Sequence, residues 1–218
     1  MIPDVTVCVF AKPPWPGKAK TRLARTVGAD GAARLAAAFL ADTLRSVGGL
    51  PWARVILALA EPWADAPMQG DRVWLQGDGD LGQRLETVTA RALQLRDPVL
   101  AIGADSPGLP ADRLVAARAR LQDSDAVLGP SEDGGFYLLG LRRCPPGLLK
   151  DLPWSASHTG VATRKRLHES GFRVTELEPW FDVDEWPELQ KLVRLLEAGD
   201  VTAPETRAVL EELGLWPA

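Results

Sequence analysis

The sequence of 218 residues predicts a single α/β domain with a mostly parallel sheet and helices on both of its faces. Two observations lead to this prediction. Several short apolar runs, such as residues 5–10, lack polar alternation, as expected of strands buried on both faces of a parallel sheet. Segments with apolar residues at helical spacing separate these runs, and such alternation favours parallel strands joined by helices. A chain of this length can bury one core, so we expect one domain over residues 1–218.

The first half of the chain contains four of the predicted strands. The first covers residues 6–10, and a helix over residues 30–47 follows, where apolar residues recur at helical spacing before a glycine pair. Further strands are predicted over residues 54–59, 73–75 and 98–103, with a helix that runs from a glycine-rich segment to about Leu95 before the last of them.

The second half begins with a helix near Pro110 and continues with two strands, over residues 126–129 and 136–141. Asp133-Gly134-Gly135 joins these strands, and its glycines can supply the positive φ of a hairpin turn. The remaining predicted elements are a helix that residues 154–159 lead and that runs to about Glu169, a strand over 172–177, a helix ending near Ala198 and an amphipathic tail over about 200–218.

Composition narrows the possible partners and the compartment. The net charge is -4 and the isoelectric point is about 5.3, which argues against a nucleic-acid partner. No apolar stretch reaches the ~20 residues that span a bilayer, and residues 1–4 lack the start of a secretory signal. Cys8 and Cys144 are too few for a disulfide framework, so we interpret them as packing residues. We therefore expect a cytoplasmic monomer or homodimer with no membrane partner.

The loop after the first strand carries the strongest functional signal. Three prolines and Gly17 exclude a helix there, while four cations stand within eleven residues: Lys12, Lys18, Lys20 and Arg22. A loop at this position lies at the carboxyl edge of the sheet, where α/β proteins bind ligands. A basic solvated turn is the alternative. Because a rigid loop lowers the ordering cost of binding an anion, we predict a phosphate site, although the P-loop pattern is absent.

Aspartates follow the central strand and a late extended segment. Asp105 stands just beyond residues 98–103, at the same edge as the basic loop, and is the best candidate metal ligand. Magnesium prefers one or two carboxylates together with phosphate oxygens, so Asp182 or Asp184 could complete the site. Capping of the next helix is the alternative for each of them.

Two glycine-rich segments are open to two interpretations each. Gly77, Gly79 and Gly82 could let the backbone approach a nucleotide base, or they could form a tight turn before a helix capped by Asp78 or Asp80. The segment 133–135 could bring backbone donors to a second substrate, or it could be a hairpin turn only.

Several motifs, taken in order, resemble one known family. They are Lys12-x-x-x-Pro16-Gly17-x-x-Lys20-Thr21-Arg22-Leu23, Gly79-Asp80-Leu81-Gly82-x-Arg84, Gly103-x-Asp105-Ser106-Pro107, Gly129-Pro130-x-x-Asp133-Gly134-Gly135-x-Tyr137 and Asp182-Val183-Asp184. They resemble the rSAM/selenodomain-associated transferases of GT-A type and, more distantly, the guanylyltransferases of phospholactate, phosphoenolpyruvate and the molybdenum cofactor. This resemblance covers nearly the whole chain.

The resemblance implies a nucleotide-diphosphosugar transferase fold with a Rossmann-like sheet, a nucleoside triphosphate or nucleotide-sugar donor, and Mg²⁺ or Mn²⁺. Carried over by position, Lys12, Lys20 and Arg22 match the triphosphate loop, Asp105 the first metal ligand and Asp184 the second. Glu185 and Trp186 replace the Thr-Pro that usually follows the late motif, so both Asp182 and Asp184 stay candidates.

We therefore predict a nucleotidyltransferase that moves a nucleoside monophosphate onto a small anionic acceptor. The catalytic candidates are Lys12, Lys20, Arg22 and Asp105; the other nucleotide-site candidates are Ala11, Gly17, Gly77, Gly79, Asp80, Gly82 and Gly103; and the acceptor-site candidates are Asp133, Gly134, Gly135, Trp154 and His158. An acceptor that is already ionised needs no general base. This agrees with a chain that has only two histidines, neither of which we predict to be a catalytic base. The alternatives are a glycosyltransferase with Asp133 or His158 as base, and a non-catalytic nucleotide-binding regulator.

Overall fold

The computed structural model describes residues 5–95 and 98–217. Residues 1–4, on which the expectation about a secretory signal depends, and Ala218, the last residue of the predicted tail, lie outside the described residues. The seven strands of the sheet are β1 (Val5–Ala11), β2 (Ala53–Leu59), β3 (Val73–Leu75), β4 (Val99–Gly103), β5 (Ala126–Pro130), β6 (Phe136–Leu141) and β7 (Val174–Glu176). The helices are α1 (Ala24–Gly48), α2 (Leu81–Leu93), α3 (Ala111–Arg120), α4 (Thr159–Glu169), α5 (Trp186–Ala198) and α6 (Pro204–Glu212).

The sheet has the order β3-β2-β1-β4-β6-β5-β7 and confirms the predicted α/β class. Strands β3, β2, β1 and β4 are parallel, and β7 is parallel to β5. Strand β6 is antiparallel to both β4 and β5, because β5 and β6 form the hairpin predicted at residues 133–135. The carboxyl ends of β1 and β4 are therefore neighbours, which brings the segments after them together.

Two helix starts add detail to the predicted bounds. Helix α1 begins at Ala24, and a non-helical break at Gly28 (φ 77°, ψ 163°) separates its first turn from the long part, which begins close to the predicted start at residue 30. Helix α4 begins at Thr159, the last residue of the segment 154–159 that leads it in the prediction. Ser155 has a φ of 61°, a left-handed conformation that ordinary residues adopt only as single residues and that cannot continue a helix. The predicted strand over 172–177 is shorter, at Val174–Glu176.

The core lies on both faces of the sheet, as the apolar runs predict. Along β1, Val7 and Val9 pack with Leu40 of α1, while Cys8 packs with Val88 of α2 on the opposite face. The tail closes over α1 through a buried carboxylate: Asp42 accepts hydrogen bonds from the backbone of Glu205 (3.0 Å) and Thr206 (2.8 Å), and so caps α6. No described helix is both long and apolar enough to cross a membrane.

We expect both thiols to be unreactive in the folded protein. Burial raises the pKa of Cys8 to about 12, and burial followed by the charge of Glu86 raises that of Cys144 to about 12, from an ordinary 9.0. Because only the thiolate reacts, labelling by Ellman's reagent at pH 8 should be slower than that of a free thiol by roughly 1000-fold, and fast in urea. Rapid labelling of native protein would show that one thiol is accessible and ionised.

The carboxyl edge of the sheet is covered by the chain that leads into α5. The backbone N–H of Trp180 donates to Pro130 at the end of β5 (3.1 Å), and that of Val183 donates to Asp105 after β4 (2.9 Å). Phe181 and Val183 are buried in the cluster that also contains Leu23 and Phe39. This anchoring places Asp182 and Asp184, on either side of Val183, beside the segment that follows β4.

Candidate functional site

A cleft of about 530 Å³ opens at the carboxyl edge of the sheet, in the size range typical of ligand sites. Its lining comes from the loop after β1, the segment after β4, the first turns of α2, the start of β6 and the chain before α5. Among the predicted site residues, the lining includes Ala11, Lys12, Lys20, Arg22, Gly103, Asp105, Asp182 and Asp184. The structure thus brings the predicted cations and acids to one place, while their roles stay predictions.

Lys20 lies at the centre of the charged cluster. Its Nζ donates to Asp105 Oδ1 at 2.7 Å and to Asp184 Oδ1 at 2.8 Å, and its side chain is only 6% exposed. Its backbone has a φ of 47°, which is unusual for a residue other than glycine. Burial alone would lower the pKa of Lys20, but the two carboxylates outweigh burial and raise it. The ammonium group therefore stays charged and joins the segments after β1 and β4 to the chain before α5.

Arg22 holds the outer side of the same cluster. Its guanidinium donates to Asp184 Oδ2 at 2.6 Å and to Glu185 Oε1 at 3.3 Å. Burial would raise the pKa of Asp184, but the charges of Lys20, Arg22 and Lys12 together with the Lys20 hydrogen bond lower it. Asp184 is therefore ionised at neutral pH. Glu185, which replaces the usual threonine of the resembling family, serves here as a second partner of Arg22.

Asp182 has a carboxylate oxygen without a hydrogen bond in the described structure. Its Oδ1 is buried and has no hydrogen-bond partner within the described residues. Burial, followed by repulsion from Asp133 and Asp105, raises its pKa to about 7. A buried polar atom without a partner is costly, so this position favours a ligand that brings a proton or a positive charge.

The donor set suits a hard divalent cation that shares its shell with substrate. Within residues 5–95 and 98–217, no group of three or more acids, histidines or cysteines forms a preformed metal site. Asp105, however, is 58% exposed at the cleft, and Asp182, whose buried Oδ1 is unsatisfied, belongs to the same lining. Magnesium usually takes one or two carboxylates and completes its shell with water and phosphate oxygens. The residues present therefore fit a magnesium or manganese ion that completes its shell with oxygens from water or a phosphate.

The predicted base-binding segment has clear structural tasks. Asp80 caps α2, because its side chain accepts from Gln83 N and Gln83 returns a hydrogen bond to Asp80 N, both at 2.9 Å. Gly82 is buried, and a Cβ there would lie 2.3 Å from the carbonyl of Leu149. The glycines at 77 and 79 have φ of 84° and 96° in the turn. None of these four residues lines the described cleft, and neither does Gly17; their contacts are those of a capped turn, and their part in binding a base stays a prediction.

The predicted acceptor segment is also tied into the fold. The Asp133 carboxylate accepts from Ser131 Oγ and from Gly135 N, so it is held within its own turn. Trp154 packs edge-on against Phe136 with ring centroids 6.2 Å apart. His158 is exposed and stands just before α4 without a side-chain capping bond. In the described structure neither Trp154 nor His158 lines the cleft, although Phe136 and Ser155 do.

We expect Gly134 to be required by the fold whatever its part in binding. A Cβ at Gly134 would lie 1.8 Å from the Ser157 carbonyl, and its φ of 90° is already unfavourable for other residues. Gly147 is the matched control, with a φ of 82° and nothing within 4 Å of an added Cβ. Gly147→Ala should cost about 1–2 kcal/mol of unfolding free energy from the left-handed backbone alone. Gly134→Ala should cost clearly more in urea denaturation, and equal costs would contradict the close contact.

Some cleft residues lay beyond reach of the sequence patterns. Gln76 after β3 is buried, and its Nε2 donates to the carbonyls of Ala58 (2.9 Å) and Ala11 (3.3 Å), which fixes the end of β3 against β1. Phe136 reaches the cleft from the start of β6, and Ser155 reaches it through the path of the chain after β6. Arg84 carried a signal, since it belongs to the motif after Gly79, but its half-buried position without a described partner could not be read from spacing.

Comparison with known proteins extends the fold assignment. The chain is 28% identical to a crystal structure from Desulfovibrio desulfuricans G20 described as "putative nucleotide-diphospho-sugar transferase", with a TM-score of 0.86 over 99% of this chain and 100% of that one. It is 15% identical to CMP:2-keto-3-deoxy-manno-octonic acid synthetase complexed with CTP, with a TM-score of 0.59 over 91% and 100% of the two chains. It is 20% identical to the manganese complex of Rv0371c from Mycobacterium tuberculosis H37Rv, with a TM-score of 0.53 over 87% and 97%.

The last two likenesses show the fold alone. Together with the first, they show that the chain has the nucleotide-diphospho-sugar transferase-like fold that its motifs imply. No curated protein matches the chain in sequence. A family model does match it over residues 43–156, which is just over half of the chain, so the protein belongs to the family described as "Uncharacterized protein conserved in bacteria (DUF2064)".

Proposed function

We propose that this protein is a metal-dependent nucleotidyltransferase, which moves a nucleoside monophosphate from a nucleoside triphosphate to a small phosphate- or carboxylate-bearing acceptor. The observation that carries the proposal is the cluster in the cleft, where Lys20 and Arg22 meet Asp105 and Asp184 within hydrogen-bond distance. Neighbours with this fold include a synthetase bound to CTP. The resemblance to the rSAM/selenodomain-associated transferases supports the same kind of donor.

The side chains suit a reaction governed by positioning and charge. An ionised acceptor oxygen attacks the α-phosphorus, the bond from that phosphorus to the bridging oxygen breaks, and pyrophosphate leaves. Lys12, Lys20 and Arg22 would neutralise the phosphates and the leaving group, which is the main stabilisation that such a transfer needs. No base need accept a proton, in agreement with the position of His158 outside the cleft lining.

Asp105 and either Asp182 or Asp184 would hold the metal. When bound, Mg²⁺ or Mn²⁺ would withdraw negative charge from the transferred phosphoryl group and orient it. A manganese complex is known for Rv0371c, whose fold is similar. The ammonium group of Lys20, which neutralises Asp105 and Asp184 in the free cleft, would then be available to a phosphate.

Glycosyl transfer from a nucleotide sugar is the second candidate. One observation favours it: the similar structure from Desulfovibrio desulfuricans G20 is described as a nucleotide-diphospho-sugar transferase. The number of cations in the first loop favours a triphosphate instead, because three phosphates carry more charge than a nucleotide sugar. Both reactions would use the same metal and the same cleft.

A thermal-shift panel separates the two candidates. Nucleoside triphosphates and UDP-, GDP- and CMP-sugars are compared with and without magnesium, since a ligand that binds the folded state raises the melting temperature. We expect at least one triphosphate to give a magnesium-dependent shift larger than that of any nucleotide sugar. A panel in which only nucleotide sugars shift the melting temperature overturns nucleotidyl transfer in favour of glycosyl transfer. Release of pyrophosphate or nucleoside diphosphate with a set of phosphorylated and carboxylated acceptors then identifies the reaction.

A further inference from the structure

We infer that Arg84 forms a second oxyanion site in the cleft, which takes the phosphate or carboxylate group of the acceptor. The inference rests on the proposed function for the identity of its ligand, because nucleotidyl transfer of this kind needs an anionic acceptor. The observation behind it is a half-buried arginine in the cleft lining, whose guanidinium has no hydrogen-bond or ion-pair partner among the residues that the structure describes.

Arg84 differs in its pairing from Lys18, Lys20 and Arg22 of the cleft, and it differs from the exposed Lys12 in being half-buried. Its Nε is fully buried without a hydrogen-bond acceptor, and among the described residues no acid, carbonyl or ring contacts its guanidinium. Lys20 and Arg22 are held by carboxylates, and Lys18 lies 3.5 Å from Glu61. A charged group that is partly withdrawn from water and left unpaired is costly, so its place in a cleft points to an anion that arrives from solution.

The wall around Arg84 is largely apolar. Arg84 stands on the second turn of α2, and the cleft lining near this helix includes Leu85, Phe10 and Phe136, which pack in the cores on the α2 face of the sheet. Ser155 adds an exposed hydroxyl to the lining. In such surroundings a guanidinium binds an oxyanion more strongly than it would in water, and its fork can hold two oxygens at once.

The other wall already provides for the phosphates of the donor. Lys12, Lys20 and Arg22 come from the loop after β1, and the acids that would hold the metal come from residues 105 and 182–184. Lys20 packs towards Phe39 of α1, with its Nζ 5.9 Å from the ring centroid, and α1 lies on the opposite face of the sheet from α2. A cation on the α2 side is therefore placed for the second substrate, and the cleft volume of about 530 Å³ leaves room for both.

Oxyanion binding to the metal-free protein tests the site directly. Inorganic phosphate and malonate are titrated separately by calorimetry in the presence of EDTA, since the two distinguish a phosphate-bearing from a carboxylate-bearing acceptor. We expect at least one of them to bind, and Arg84→Met to weaken that binding about 10-fold or more, as the loss of charge-assisted hydrogen bonds implies. Arg84→Lys keeps the positive charge but not the planar fork of donors, so its oxyanion affinity should lie between those of the original protein and Arg84→Met.

Arg91→Met is the matched control. Arg91 is on the same helix, but its guanidinium lies 3.9 Å from the centroid of Trp74 and outside the cleft lining. Oxyanion affinity should stay within about twofold of the original protein in this variant, because no charge in the cleft has changed. Failure of both anions to bind, or equal affinity in Arg84→Met and the original protein, overturns the assignment.

A second titration shows whether Arg84 binds the acceptor or a phosphate of the donor. The titration is repeated with saturating magnesium and the α,β-methylene analogue of the triphosphate that gives the largest thermal shift. Unchanged oxyanion affinity supports an acceptor site, whereas competition shows that Arg84 holds donor phosphate and overturns the inference. If no triphosphate binds, the proposed function fails and the acceptor assignment fails with it, while the first titration still decides whether Arg84 binds an oxyanion.

Discussion

Asp105→Asn should abolish the magnesium-dependent part of triphosphate binding. Asp105 follows β4 at the centre of the charged edge, is 58% exposed and faces the cleft, so its carboxylate is the one most open to a metal. A neutral amide keeps the shape but gives a hard cation a much weaker ligand. For a ligand at 100 times its Kd, the stabilisation is about 2.7 kcal/mol, or a shift of roughly 5–10 °C for a domain of this size. We expect most of that shift to disappear.

The control for this change is Asp112→Asn, which removes an exposed carboxylate from the first turn of α3. It should leave the magnesium-dependent shift intact. Asp182→Asn and Asp184→Asn, measured in the same way, show which of these two aspartates completes the metal site. An unchanged magnesium-dependent shift in Asp105→Asn would refute its assignment as a metal ligand, whichever of the others matters.

Much of the fold could be predicted because buried parallel strands leave a simple pattern. The continuous apolar run of β1 has no exposed face, and the glycines of residues 133–135 mark the one hairpin that makes β6 antiparallel. The first turn of α1, before the break at Gly28, was not predicted because its sequence lacks apolar periodicity, while its backbone hydrogen bonds extend from Lys20 onwards. Such a start depends on the position of the basic loop and not on local propensity.

The site was predictable in its residue types but not in its pairings. Lys20 and Asp105 follow β1 and β4, which are parallel neighbours with their carboxyl ends at one edge of the sheet, so topology alone brings these two together. The burial of Asp182 and the ion pairs of Lys20 depend on how the chain before α5 crosses that edge, with Val183 bonded to Asp105. The structural role of Gly82 could not be predicted either. Gly82 lies close to the backbone of Leu149, 67 residues away in sequence, and local residue spacing does not reveal such a contact.

Lys20→Met should have opposite effects on the metal alone and on the nucleotide. In the free cleft the ammonium of Lys20 neutralises Asp105 and Asp184 at 2.7 and 2.8 Å, so a divalent ion must displace it. Without that competitor, we expect Mn²⁺ or Mg²⁺ alone to bind roughly tenfold or more tightly. The triphosphate should bind more weakly, because one of its cations is gone. Lys165→Met, on α4 and outside the cleft lining, should change neither affinity, since Lys165 is 75% exposed and lies beside Glu169.

Lys20→Met should also destabilise the metal-free protein, but only by a moderate amount. Breaking a fully buried ion pair costs about 3–5 kcal/mol, because the remaining charge has no access to water. Here the carboxylates are 58% and 37% exposed and can be hydrated once Lys20 is removed. We therefore expect a loss of about 1.5–3 kcal/mol in urea denaturation with EDTA present, the range for hydrogen bonds to charged groups. Added manganese should restore part of this stability in Lys20→Met, since the ion replaces the missing charge between the acids. If the metal alone binds no more tightly to Lys20→Met than to the original protein, Lys20 does not compete for the metal position and the acids bind their cation elsewhere.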